Sequence, residues 1–197
     1  MLKDTQMLVM ELTRQGYKVP LVRIGTLVKQ GKLFRIIRGL YTDTRTIDPF
    51  TVSAAVLQPS YISFESALSV HGLIPEGVPN VTAATFGKRR CKTYETDWGL
   101  LIYRDVPKKA FSEELKLFEN GCDNYLLAGP EKALCDQLYS VSPLRSRKAL
   151  WAWLFEDMRI EEEDFRNLST VVLNRLSKLY ASTNLKLLAD ALTRKGL

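Results

Sequence analysis

Apolar residues recur at helical spacing towards both ends of the chain and fall into short alternating or continuous runs in its middle. The first periodic stretch, residues 3–15, stops at Gly16 and predicts a helix. Val19-Pro20 opens a second. Proline suits a first helical turn, because the N–H it lacks has no intrahelical partner there. Leu21, Ile24, Leu27 and Val28 follow at helical spacing, with Gly31 as the stop. Placing these four on the core leaves Arg23, Thr26, Lys29 and Gln30 on the outer face. Residues 33–42 are β-rich and broken at Arg38-Gly39, as in a short hairpin.

Asp48-Pro49 reads as a boundary. Two short helices are expected beyond it, residues 49–57 closed by Pro59 and residues 63–71 closed by Gly72, with the Ser63 hydroxyl as an N-cap for the second. Between 80 and 127 the pattern turns strand-like, in VTAATF, CKTYET, LLIYRDV and NYLLA. Helical spacing resumes over 130–139, and Ser142-Pro143 interrupts it. Three more helices are expected over 145–158, 161–180 and 183–195. In the middle one Phe165, Leu168, Val172, Leu176 and Leu179 form one apolar stripe, and Glu161, Glu162, Glu163 and Asp164 sit where the helix dipole favours negative charge. The expected class is α+β: an N-terminal winged helix-turn-helix over 1–48, then an α+β part over 49–197. That second part has a mixed α/β centre with a small β-sheet and a helical tail from about residue 143.

Charge sharpens this division. The chain has 197 residues and a net charge of +6. Residues 1–47 hold nine cations and three acids, so they carry the whole excess, while the remaining 150 residues are neutral. A local cationic surplus is the footprint of a surface that meets polyanions. Helix, turn, helix and basic hairpin is the order of a winged helix, in which one helix enters the major groove and the hairpin rests on the backbone. On that reading Arg23, Thr26, Lys29 and Gln30 reach base edges or phosphates, and Lys32, Arg35 and Arg38 contact phosphates. The unit is one helix short of the full three-helix version. A protein-docking winged helix is the alternative. A second basic cluster, Gly87-Lys88-Arg89-Arg90 with Lys92, reads either as a solvated turn or as an added nucleic-acid contact.

The segment Gly31-Lys32-Leu33-Phe34-Arg35-Ile36-Ile37-Arg38-Gly39-Leu40-Tyr41 resembles the signature that closes the winged helix of the AbiEi family. These are antitoxins and transcriptional repressors of type IV toxin–antitoxin (abortive-infection) operons. Residues 61–73, YISFESALSVHGL, and residues 125–139, YLLAGPEKALCDQLY, are similar to two later blocks of that family in the same order. The resemblance covers about residues 30–140. It implies a winged helix that binds repeats in its own promoter on double-stranded DNA and represses it. It also implies a C-terminal part that opposes a toxin resembling a nucleotidyltransferase, with or without a stable complex.

The remaining chemistry is sparse. His71 is the one histidine, at a helix end, and no Gly-x-Ser-x-Gly elbow, P-loop or dinucleotide glycine pattern occurs. Glu131 reads as a helix-start charge and Asp136 as a solvent-facing or capping residue. A metal-dependent nuclease would use Asp97 or Asp105 with Glu114 and Lys116, an acid followed by acid-x-Lys on adjacent strands. Three scattered cysteines, no signal-like start and a longest apolar run of only residues 149–155 point to a reduced, cytoplasmic, non-membrane protein. No enzyme activity, cofactor or metal site is expected.

Overall fold

A computed structural model of the chain describes residues 1–75, 77–121 and 123–195. The class is α+β. The chain opens with β1 (Leu2–Asp4), α1 (Thr5–Arg14), α2 (Pro20–Lys29), β2 (Phe34–Ile37) and β3 (Leu40–Thr42). The three strands form one antiparallel sheet in the order β1-β3-β2. The first expected helix therefore starts later than its apolar period suggests. Residues 2–4 are drawn into a strand by pairing with residues 40–42, a partner far away in sequence. Asp4 ends that strand and caps α1, its carboxylate accepting the Met7 N–H at 2.7 Å.

Pro20 occupies the first turn of α2, as its chemistry requires, and α2 ends ahead of Gly31. A small core of Leu8, Leu12, Ile24 and Leu33 holds α1 and α2 together, with Leu27 and Val28 packed at its edge. Leu21 is not part of it. This residue lies in the first turn of α2 and is 64% exposed, so the expectation that it faces the core is corrected.

The rest of the chain is built on a six-stranded mixed sheet of β4 (Tyr61–Ile62), β5 (Val81–Thr85), β6 (Lys92–Thr96), β7 (Gly99–Asp105), β8 (Leu115–Asn120) and β9 (Asp123–Ala128). Its order is β6-β7-β5-β4-β9-β8. β5 runs parallel to β7 and β4 parallel to β9, whereas β6–β7 and β8–β9 are antiparallel hairpins. All five residues of β5 are buried. β4 and β8 are not among the expected strands: β4 is two residues long, and β8 is an edge strand whose short Leu115, Leu117 alternation gives way to Glu119 and Asn120.

Helices α3 (Pro49–Val56), α4 (Phe64–Val70), α5 (Lys108–Phe111) and α6 (Pro130–Ser140) pack with this sheet. The C-terminal helices are α7 (Arg147–Ala152), a π-helical turn (Trp153–Asp157), α8 (Glu162–Asn167), α9 (Thr170–Ser177) and α10 (Thr183–Lys195). The single helix expected over 161–180 is thus two. Leu168 turns extended (ψ 143°), and Ser169 starts a new helix by accepting the Val172 N–H. Glu131 reinforces the break from α6, accepting the Ser169 N–H at 2.8 Å.

One large core runs from Ile36 to Leu192 and includes Ile36 and Ile47 from the basic segment. The Trp98 indole also donates to the Arg45 carbonyl at 3.2 Å. Among the described residues, no helix is long and apolar enough to cross a membrane.

Candidate nucleic-acid interface

The seven residues singled out for polyanion contact lie on α2, the turn after it and the β2–β3 hairpin. Lys29 and Gln30 are exposed at the end of α2, and Lys32 is exposed two residues on. Arg35 is exposed on β2, its Nε donating to the Ile37 carbonyl at 3.4 Å. Arg38 is exposed at the hairpin turn, where Gly39 takes φ +93°, a conformation that favours glycine. Two residues are less free than the helical wheel suggests. Thr26 donates its hydroxyl back to the Val22 carbonyl at 3.0 Å, within the helix. The Arg23 guanidinium lies 5.0 Å from the Tyr17 ring centre, half-buried.

The acids of this segment are all engaged elsewhere. Asp4 caps α1, Glu11 pairs with Lys3 at 2.8 Å, and Asp43 pairs with the N-terminal ammonium. That last contact holds the Asp43 carboxyl below its ordinary value. Among the described residues none of Lys29, Lys32, Arg35 and Arg38 has a carboxylate partner.

The second basic cluster gains two cations that sequence distance concealed. Val106 donates its N–H to the Thr85 carbonyl and Lys92 lies opposite Tyr103, so Lys88, Arg89, Arg90, Lys92, Lys108 and Lys109 share one end of β5, β6 and β7. Asp105 accepts the Arg89 N–H at 2.7 Å and fixes the turn, in which Arg89 itself has φ +63°.

A polar network that the sequence reading missed sits at the centre of the large core. Asp136 on α6 accepts hydrogen bonds from the Tyr61 hydroxyl (2.9 Å), the Ser63 hydroxyl (2.7 Å) and the Tyr180 hydroxyl (2.5 Å). Lys132, one turn earlier, donates to Asp136 at 2.7 Å and to the Tyr180 hydroxyl. Asp136 is thus neither solvent-facing nor a cap, and both charges are fully buried. Ser63 is corrected as well: it stands at the N-cap position of α4, but its hydroxyl serves Asp136. Burial, with Asp136 alongside, pushes the Tyr61 and Tyr180 hydroxyls well above the ordinary tyrosine value. The i, i+4 spacing of Lys132 and Asp136 was the one available signal, but on a helix it usually marks a surface pair. The network joins α6 to β4 and to the chain between α9 and α10, and no solvent reaches its charges.

The acid/acid-x-Lys set is not assembled. β7, which carries Asp105 and follows Asp97, is separated from β8 by β5, β4 and β9. Glu114 pairs with Arg175, and the Asp105 carboxylate is held by Arg89. His71 closes α4 as expected, and its Nε2 lies 2.8 Å from the Ala128 carbonyl. Among the described residues no three His, Cys, Asp or Glu side chains group to hold a metal ion. No protein-family model matches the chain, and no curated protein matches it.

Proposed function

We propose that residues 1–48 act as a winged helix that binds double-stranded DNA, and that the protein represses its own promoter in the cytoplasm. The observation that carries this reading is the distribution of paired and unpaired charge. Of the four acids in residues 1–48, Asp4, Glu11 and Asp43 are used on the β1–α1 side and at the end of β3 and Asp48 accepts the Phe50 N–H, while Lys29, Lys32, Arg35 and Arg38 stand exposed without a carboxylate among the described residues. Unpaired cations on a helix end and an adjacent hairpin suit a DNA backbone, because each phosphate contact releases condensed counterions. Gln30, beside them, has the donor and acceptor a base edge requires.

The similarity of residues 31–41, 61–73 and 125–139 to the AbiEi blocks supports the further role of an antitoxin. In that role residues 49–197 oppose a toxin resembling a nucleotidyltransferase. A mobility-shift titration with the duplex upstream of the protein's own gene tests the DNA reading. A preference for that duplex over random DNA at moderate salt is expected, and equal affinity for both overturns it.

One observation favours a second reading, a winged helix that docks a protein. Met7, Met10, Val19, Leu21 and Val22 are each more than half exposed on α1, α2 and the turn between them. Copurification with the product of the neighbouring gene, together with indifference to DNA, decides for that reading.

A further inference from the structure

The groove along α7 and the π-helical turn lies outside the proposed DNA surface, and its aromatic residues Trp151 and Phe155 pack against the large core on one side. It holds about 520 Å³, a volume typical of small-molecule sites, and Ala191 of α10 forms part of its lining. Trp151 and Phe155 stand on it with their rings only 8° from parallel and 5.7 Å apart. Phe165, buried beneath them, meets both rings edge-on at 81° and 87°. The two rings therefore form an offset stack that walls the groove, half-exposed and propped by Phe165.

The charges along this wall are sorted. Arg147 and Lys148 lie at one end, exposed and without a carboxylate among the described residues. Glu156 lies at the other, exposed and without a cation among the described residues, and Glu162, which also lines the groove, pairs with Arg166. Glu156 lies nine positions after Arg147, roughly 13 Å along a helix at about 1.5 Å per residue. Phe155 and Glu156 belong to the π turn itself. Such turns are rare and are often kept at functional sites.

A ligand complementary to this groove has an anionic end, a planar aromatic body and hydrogen-bond donors at the far end. We propose that the groove binds a free purine nucleotide. Its phosphates lie on Arg147 and Lys148, its base lies on the wall of Trp151 and Phe155, and Glu156 accepts from a base amino group or a ribose hydroxyl. A bare polyanion leaves the aromatic wall unused and meets repulsion at Glu156. An apolar ligand leaves both charged ends without partners. The site is separate from α2 and the hairpin and does not depend on the DNA reading.

Calorimetric titration of the full chain with ATP and GTP, without added metal, tests the proposal. Saturable one-to-one binding is expected. Trp151→Ala lowers affinity about tenfold or more, as loss of a base-stacking ring does. Arg147→Ala/Lys148→Ala lowers it by a similar factor, and Arg35→Ala/Arg38→Ala leaves it unchanged. A thermal melt of each variant reports whether it is folded. If Trp151→Ala is not, the exposed pair Arg147→Ala/Lys148→Ala and the exposed Glu156→Lys decide, the latter also lowering affinity for the base end. Absence of saturable binding at millimolar nucleotide overturns the proposal. So does inorganic triphosphate binding as tightly as ATP, or affinity that survives the decisive substitutions.

Discussion

Lys132 and Asp136 form a fully buried ion pair, one turn apart on α6 and 2.7 Å from nitrogen to oxygen. Three hydroxyls from outside the helix complete the carboxylate's hydrogen bonds. Breaking such a pair leaves one buried charge uncompensated, at a cost of about 3–5 kcal/mol. Asp136→Asn is therefore expected to lower unfolding free energy in urea by about that much. Adding Lys132→Met recovers part of the loss by removing the orphaned charge. It does not recover all, because Tyr61, Ser63 and Tyr180 still lack their charged acceptor. A double variant less stable than Asp136→Asn alone counts against an orphaned charge as the cause.

Burial holds the Tyr61, Tyr103 and Tyr180 hydroxyls and the Cys135 thiol in their neutral forms, with every pKa raised in the fold. Groups raised in this way give stability that is complete below their unfolded values, roughly pH 9–10, and that is lost as the pH climbs above them. Denaturation midpoints are expected to fall from about pH 9 upward. Of the eight tyrosines, these three ionise only as the chain unfolds, which absorbance near the phenolate band follows during an alkaline titration. Normal titration of all eight in the folded protein disproves the assignment.

On the proposed DNA reading, Arg35→Ala/Arg38→Ala removes two exposed phosphate contacts. Binding weakens alike for all sequences, and the dependence on log salt becomes shallower by about 2. Arg23→Ala loses about 1–3 kcal/mol of discrimination only if the guanidinium leaves Tyr17 to read a guanine. Titrations on matched and scrambled duplexes at several salt concentrations separate the two outcomes. An unchanged salt slope in the double variant removes the hairpin from the interface.

Cys91 is exposed and Cys135 fully buried on α6. A thiol-specific reagent is expected to modify Cys91 in the native protein and Cys135 only after unfolding. Peptide mass mapping before and after denaturation reads this directly. Prompt native labelling of Cys135 is inconsistent with its placement.

Strong local rules made much of the fold legible. Pro20, Pro49 and Pro130 each stand in the first turn of a helix, and Gly39 sits in the hairpin turn. Strands β5, β6, β7 and β9 follow runs that the sequence marks. The positions of Lys29, Lys32, Arg35 and Arg38 on an exposed surface were legible for the same reason, since charged side chains next to a short apolar stripe have nowhere to go but solvent.

Local rules therefore reach the proline-marked helix starts, the glycine-marked turns and the gathering of positive charge into the first 47 residues. These depend on backbone preferences and on neighbours three or four positions away. Long-range packing makes Leu2–Asp4 a strand, breaks residues 161–180 at Leu168 and seals Asp136 in the core. It also brought Lys108 and Lys109 beside Arg89, and set Phe165 under Trp151 and Phe155. In each case the deciding partner lies outside the local window: Leu40–Thr42 for β1, Glu131 for Ser169, and Tyr61, Ser63 and Tyr180 for Asp136. An acid at a helical i+4 position from a lysine has the same local pattern on a surface as in a core. Burial by distant elements is what turns that pattern into a sealed ion pair.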